Sequence, residues 1–234
     1  MKNIKDLCFV IQARLSSERT PGKMMKPFAG TSLVDIACRK INKSKIIPRE
    51  NFYFSAYEKE IIDVVEKNNL QVYYRSERSA KSEGPMQEVM EYHDKLNYKY
   101  LIVVSACCPL LKVETIDSFV EAYLSSPHDG MFGVVEKRNY FWDENHDLIT
   151  PWQELSRPGS DVLNTKLVCK TYEAAHCLYA GRMDEIAKGI WMAKPPFVKN
   201  SPELFVVPEH EAFDIDFPWQ FELGEMMYKN RNAI

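Results

Sequence analysis

Apolar residues in this chain come in two alternating kinds of run. Leu7-Cys8-Phe9-Val10-Ile11 and Tyr100-Leu101-Ile102-Val103-Val104-Ser105 are short and almost unbroken, the pattern of strands buried on both faces. Asn51–Ala56, Gln71–Tyr74, Met131–Val135 and His176–Tyr179 read as further strands. Between them, apolar residues recur at helical spacing. Leu33, Ile36, Ala37 and Ile41 form one such set, Ile61, Val64 and Val65 a second, and Met86, Val89, Met90 and His93 a third. Ile116, Phe119, Val120, Tyr123 and Leu124 form a fourth. Each set occupies one face of a helix. The stretch after Arg75, as far as Gly84-Pro85, reads as a polar loop. Asp214-Ile215-Asp216 reads as a strand end before a closing helix with Pro218 in its first turn.

Strand and helix alternating in this order predict an α/β fold, a three-layer, mostly parallel Rossmann-like sheet with right-handed crossovers. Ligands of such sheets bind at the carboxyl ends of the strands, where Arg14, Arg75 and Ser105 are expected to gather. The rhythm breaks between about residues 137 and 168, where Tyr140, Phe141, Trp142, Pro151, Trp152 and Pro158 interrupt it. The expectation is one domain over residues 1–234, with 137–168 as an inserted, aromatic-rich arm for subunit contact in a homodimer.

Charge and composition narrow the partners. A net charge of −3 over 234 residues gives no basic excess for tracking nucleic acid. No apolar run reaches the roughly 18 residues of a membrane span, and Gln12 and Arg14 end the first one too early for a signal peptide. Six cysteines without paired metal spacing are expected in a reducing, cytoplasmic setting. Cys8 and Cys38 read as small core residues.

The chemistry concentrates where the first strand opens into Gln12-Ala13-Arg14-Leu15-Ser16-Ser17-Glu18-Arg19-Thr20-Pro21-Gly22-Lys23. Small, hydroxyl and cationic residues at a strand end suit a polyphosphate, which takes charge-assisted donors and free backbone amides. The loop is neither a Walker A sequence nor GxGxxG. Its Lys23 reads as an exposed loop cation. Near the other end of the chain, Asp214 and Asp216 offer hard oxygen ligands that suit a divalent cation, or one of them caps the last helix. His176 reads either as a proton acceptor or donor at a site or as a core histidine. Cys107-Cys108 reads as pocket wall rather than a redox or metal pair.

The run Ile11-Gln12-Ala13-Arg14 to Pro21-Gly22-Lys23 resembles the opening of the CMP-sialate synthetase-like cytidylyltransferases. The similarity returns at Arg75-Ser76 to Ser82, at Ser105-Ala106-Cys107-Cys108-Pro109-Leu110, at Gly133-Val134-Val135-Glu136 and at Phe213-Asp214-Ile215-Asp216. The resemblance implies a transferase that joins CMP from CTP to a hydroxyl of a sugar acid or related acceptor for surface glycan assembly, releasing pyrophosphate. It implies that Ala13, Arg14, Ser16 and Lys23 meet the nucleotide, that Arg75 helps hold the cytidine, and that Asp214 and Asp216 bind Mg2+. Arg14, Lys23 and Asp216 would carry the catalysis. Acceptor contacts fall to Ser105, Cys107, Cys108, Lys166, Glu173 and His176. The chain departs from sialate-handling relatives by lacking the glutamine and arginine of the Ser105–Leu111 segment and by carrying Glu173 near an expected arginine, which points to a different acceptor. Two other readings stand beside it: a glycosyltransferase using a nucleotide sugar, and a non-catalytic nucleotide-binding scaffold.

Overall fold

The computed structural model describes residues 1–150, 165 and 168–230. The first strand, β1 (Leu7–Gln12), buries both faces: Leu7, Phe9 and Ile11 enter one core, Cys8 and Val10 the other. Helix α1 (Leu33–Lys43) starts where the Ser32 side chain accepts from the Asp35 amide, and Lys40 and Lys43 sit in its last turn, favourable ends for its dipole. β2 (Phe52–Ala56), α2 (Lys59–Lys67) and β3 (Val72–Tyr74) complete the first half of the sheet.

The segment expected to be a polar loop contains α3 (Glu77–Lys81). The Ser76 hydroxyl caps it by accepting from the Ser79 amide at 3.1 Å. Five residues held by a local cap leave no apolar periodicity to detect. The set from Met86 to His93 does not form one helix. It divides into α4 (Met86–Val89) and a 3-10 turn over Glu91–Asp94, because Met90 leaves helical geometry at φ −103, ψ 44.

β4 (Tyr100–Val104), α5 (Val113–Ser125) and β5 (Met131–Lys137) follow. β6 (Thr171–Arg182) is three times the length of the His176–Tyr179 strand expected and runs antiparallel between β4 and β5. β7 (Glu203–Val206) pairs in parallel with β5 at the sheet edge, and α6 (Pro218–Lys229) closes the described chain with Pro218 in its first turn.

The seven strands lie in the order β3-β2-β1-β4-β6-β5-β7. Faces of α1, α2, α5 and α6 cover one side, supplying Ile41, Val65, Phe119 and Phe221 to the main core. The other side is thinner, closed by Met90, Tyr92, Met183 and Ile186 over Cys8, Val10, Leu101 and Val103. The expected mostly parallel three-layer architecture is borne out. Because β6 runs against its neighbours, its first half lies at the carboxyl ends of β4 and β1. In the expected arm, β5 leads to a turn in which Trp142 bridges Leu148 and the Asp143 amide donates to the Asp147 carbonyl at 2.9 Å. Trp142 and Ile149 are exposed. Pro151, Trp152, Pro158 and Lys166 lie outside the described residues.

Candidate active site

The loop after β1 is folded back on itself and anchored at both ends. Ala13 donates its amide to the Ser55 carbonyl, the Leu15 amide to Glu58 Oε1 at 2.8 Å, and the Gly22 amide to the Leu15 carbonyl. Gly22 makes the return at φ +67, a conformation glycine adopts at little cost. The turn sends Lys23 inward. Its ammonium donates to the Ile215 carbonyl at 2.5 Å and to Asp216 Oδ1 at 3.1 Å. Thr20 Oγ1 donates to the Asp216 carbonyl at 2.7 Å, and Arg19 pairs with Asp216 Oδ2 at 2.9 Å. The cationic loop and the late acidic pair, 193 positions apart at Lys23 and Asp216, therefore meet on one cleft. Lys23 is only 8% exposed, which corrects its reading as an exposed loop charge. Burial pulls the Lys23 ammonium down, but Cys107 and Asp216 outweigh it and leave it above the ordinary lysine value.

The Asp214–Asp216 segment is not a strand end, as the sequence suggested. It is an irregular stretch ahead of α6, held when the Ile215 amide donates to the Cys107 carbonyl at 3.0 Å. The helix-capping role fails as well. Gln220 Oε1 accepts the amides of Asp216 and Phe217, and neither aspartate side chain caps α6. Burial, then the neighbouring Asp216, push the Asp214 carboxyl above its usual range, partly offset by Lys23 and His176.

A cleft of about 510 Å3 runs above this wall, lined by Gln12, Arg19, Ser105, Cys107, His176, Tyr179, Asp214 and Asp216. His176 reaches it through a bulge. The β5–β6 register slips between the Phe132↔Tyr179 and Val134↔Ala174 pairs, and His176 within the slip takes φ +50. A non-glycine residue in the left-handed region costs energy and recurs at functional sites. His176 is exposed, with Nδ1 3.2 Å from the Tyr179 hydroxyl, so it is not a core histidine.

Several expected site residues sit elsewhere. The Arg14 guanidinium leans on the α3 side, donating to the Ala80 and Ser82 carbonyls and pairing with Glu83 at 2.9 Å. Arg75 is buried and braces the Ser79 and Val89 carbonyls, where it organises the backbone rather than facing the cleft. Ser16 is exposed on the loop, and Ala13 is buried beneath it. Cys108 is buried behind the wall, its Sγ 4.0 Å from Asp214 Oδ1. Glu173 points away to pair with Lys137 at 3.4 Å, so it has no place in the described cleft. Arg19, Thr20, Gln12 and Tyr179 were not singled out from the sequence. Arg19 and Thr20 belong to the loop after β1, and Tyr179 follows His176 by three residues, but only the folded loop and the bulge show their direction. The Gln12 side-chain oxygen is buried at the cleft without a partner among the described residues.

Among the described residues no three acidic, histidine or cysteine side chains form a ready-made metal cage. Two mutually repelling carboxylates on one cleft wall do suit Mg2+, which takes one or two carboxylates and completes its shell with water and phosphate oxygens.

Residues 8–178 match the family model described as Cytidylyltransferase. The chain belongs to the cytidylyltransferase family. The resemblance carried by Ile11–Lys23 and the later segments as far as Glu136 is thereby borne out. The spore coat polysaccharide biosynthesis protein SpsF of Bacillus subtilis (strain 168) is 24% identical to this cytidylyltransferase-family chain over 128 residues, 54% of the chain and 53% of SpsF. The match thus spans about half the length of that curated relative. A CMP:2-keto-3-deoxy-manno-octonic acid synthetase complexed with CTP superposes with a TM-score of 0.67 at 11% identity, covering 97% of this chain and 99% of that one. A 4-diphosphocytidyl-2C-methyl-D-erythritol synthase from Anaerococcus prevotii DSM 20548 follows at 0.62 and 13% identity, covering 95% and 96%. A cytidylyltransferase from Leptospira borgpetersenii serovar Hardjo-bovis (strain JB197) gives 0.55 at 18%, covering 98% and 96%. At these identities the structures show a shared fold.

Proposed function

We propose that the chain transfers the cytidylyl group of CTP to a hydroxyl of a small sugar-like acceptor, with Mg2+, and releases pyrophosphate. The observation that carries this reading is the convergence of Thr20, Arg19 and Lys23 on the Asp216 segment. It sets cations and carboxylates side by side at the carboxyl end of β1, as triphosphate chemistry requires.

The acceptor oxygen forms a bond to the α-phosphorus, the bond from that phosphorus to the bridging oxygen breaks, and pyrophosphate carries the electron pair away. Arg19 and Lys23 offset the triphosphate charge from inside the loop, with Arg14 at its outer edge. Mg2+ held by Asp216 with Asp214 would neutralise charge on the phosphate oxygens. The His176 imidazole, steadied by the Tyr179 hydroxyl, is the side chain that takes the attacking hydroxyl's proton. Ser105 and Cys107 supply the acceptor-side wall.

A non-sialate acceptor now rests on the Ser105–Leu111 segment, which lacks the glutamine and arginine of sialate-handling relatives, since Glu173 is turned away. SpsF is named for spore coat polysaccharide biosynthesis, which supports a surface glycan as the destination. None of the six cysteines is in a disulfide, consistent with a cytoplasmic setting. The exposed Leu204 and Val206 on edge strand β7 support a homodimer.

The test is pyrophosphate release from CTP and Mg2+ across a panel of sugar acids and sugars. Release that depends on an acceptor supports the reading. Tight CTP binding without release from any acceptor indicates a scaffold, and consumption of a preformed nucleotide sugar indicates a glycosyltransferase.

A further inference from the structure

A second hollow, of about 350 Å3, lies on the far side of the Cys108 wall, between α1, the Pro109–Glu114 segment and the last turn of α6. Its size falls within the roughly 300–1,000 Å3 of small-molecule sites. Ile36, Leu110 and Met227 give it an apolar lining, and cations ring that lining. Positions 36, 39, 40 and 43 fall on one helical face, so α1 alone contributes Ile36, Arg39, Lys40 and Lys43. Lys112 joins them from the start of α5.

The charges are not evenly spent. Arg39 pairs with Asp35 at 2.7 Å, and Lys112 lies 3.7 Å from the buried Glu211. The Lys40 ammonium donates to the Cys108 carbonyl at 2.7 Å. Lys43, exposed at the rim, has no carboxylate at ion-pair distance among the described residues, and Glu114 is the acidic side chain of the lining itself. In a chain whose net charge is −3, this is a local cationic excess over an apolar floor.

We infer that this hollow binds a small amphiphilic anion, an aryl or acyl body bearing a single acidic head, separately from the catalytic cleft. The apolar body fills the space lined by Ile36, Leu110 and Met227, while the head meets Lys43 and its cationic neighbours. Burial of the body supplies the affinity, and the cations orient it.

The probe is 8-anilinonaphthalene-1-sulfonate, with decanoate as competitor, on the full chain. The expected result is saturable fluorescence enhancement that decanoate reverses, Mg2+–CTP leaves unchanged, and high salt weakens. Lys43→Glu is expected to raise the dissociation constant about fivefold, in line with an exposed charge interaction. Leu110→Asp is expected to abolish binding. Should Leu110→Asp fold poorly, amide chemical-shift changes on titrating decanoate into the unaltered protein take its place, and they are expected to be confined to α1, residues 109–114 and the end of α6. Non-saturable binding, displacement by Mg2+–CTP, indifference to Lys43→Glu, or shift changes centred on other elements overturns the proposal.

Discussion

Lys23 shows how a single side chain departs from its sequence reading. A lysine in a Pro-Gly turn looks solvated, yet its ammonium is enclosed by the Ile215 carbonyl and Asp216. Lys23→Met is therefore expected to abolish cytidylyl transfer and also to lower stability by about 1–3 kcal/mol, through the acceptors left unsatisfied. Pyrophosphate release and thermal melting measure the two effects, and an unchanged melt would contradict the buried geometry. Asp214 behaves in the opposite way. Its carboxyl is raised above 3.8 by burial and by Asp216, so the folded protein holds this proton more tightly than the unfolded chain does. Its ionised form costs stability, and that cost grows as pH rises from 3.8 through the folded-state value. Asp214→Asn is expected to raise the melting temperature at neutral pH, with the gain shrinking towards about pH 4, while turnover is lost. Melts of both proteins across that range decide it. Lys23 and Asp216 were legible as a cation and a carboxylate suited to one cleft, where the structure brings them together. The partners of Arg14 and Arg75 were not, because carbonyls distant in sequence leave no trace in local pattern.

Among the elements, β6 differs most from expectation. Its exposed Tyr172, Glu173 and Ala174 break the apolar signal, so only the buried second half showed in the sequence, and antiparallel pairing carries no local mark. The slip at His176 is likewise invisible in a sequence without glycine there. His176→Gly and His176→Ala separate conformation from chemistry. Both are expected to depress turnover, but the glycine variant should melt at or above the alanine variant, because alanine keeps the cost of φ +50. A more stable alanine variant would argue against the left-handed bulge. Further along the same strand, a Cβ on Gly181 would sit 2.4 Å from the Trp191 carbonyl oxygen, and Arg182 donates its amide to that same carbonyl at 3.0 Å. Gly181→Ala is expected to cost at least about 2 kcal/mol, read by chemical denaturation, because backbone has to move. By contrast, β1, α1, β4 and α5 matched their apolar patterns within a few residues, since each buries a long periodic face.

At the scale of the molecule, alternating strand and helix signals were enough to indicate the layered sheet, because burial on both faces imposes a composition that survives without any alignment. The position of β6 and the irregular Asp214–Asp216 stretch were set by long-range pairing instead. A dimer is the corresponding whole-molecule expectation: sedimentation should give about twice the monomer mass, and Leu204→Asp at the β7 edge should shift it to monomer. Retention of a dimer by that variant would move the contact to another face. The bonds from Thr20 and Lys23 to residues 215 and 216 carry a consequence for synthesis on the ribosome. A nascent polypeptide that has not yet emitted residues 215 and 216 can lay down the sheet, but its loop after β1 still has an ammonium with nothing to close upon. Catalytic competence then waits on a segment made after the whole sheet, and products shortened before residue 215 should accumulate as folded but silent protein.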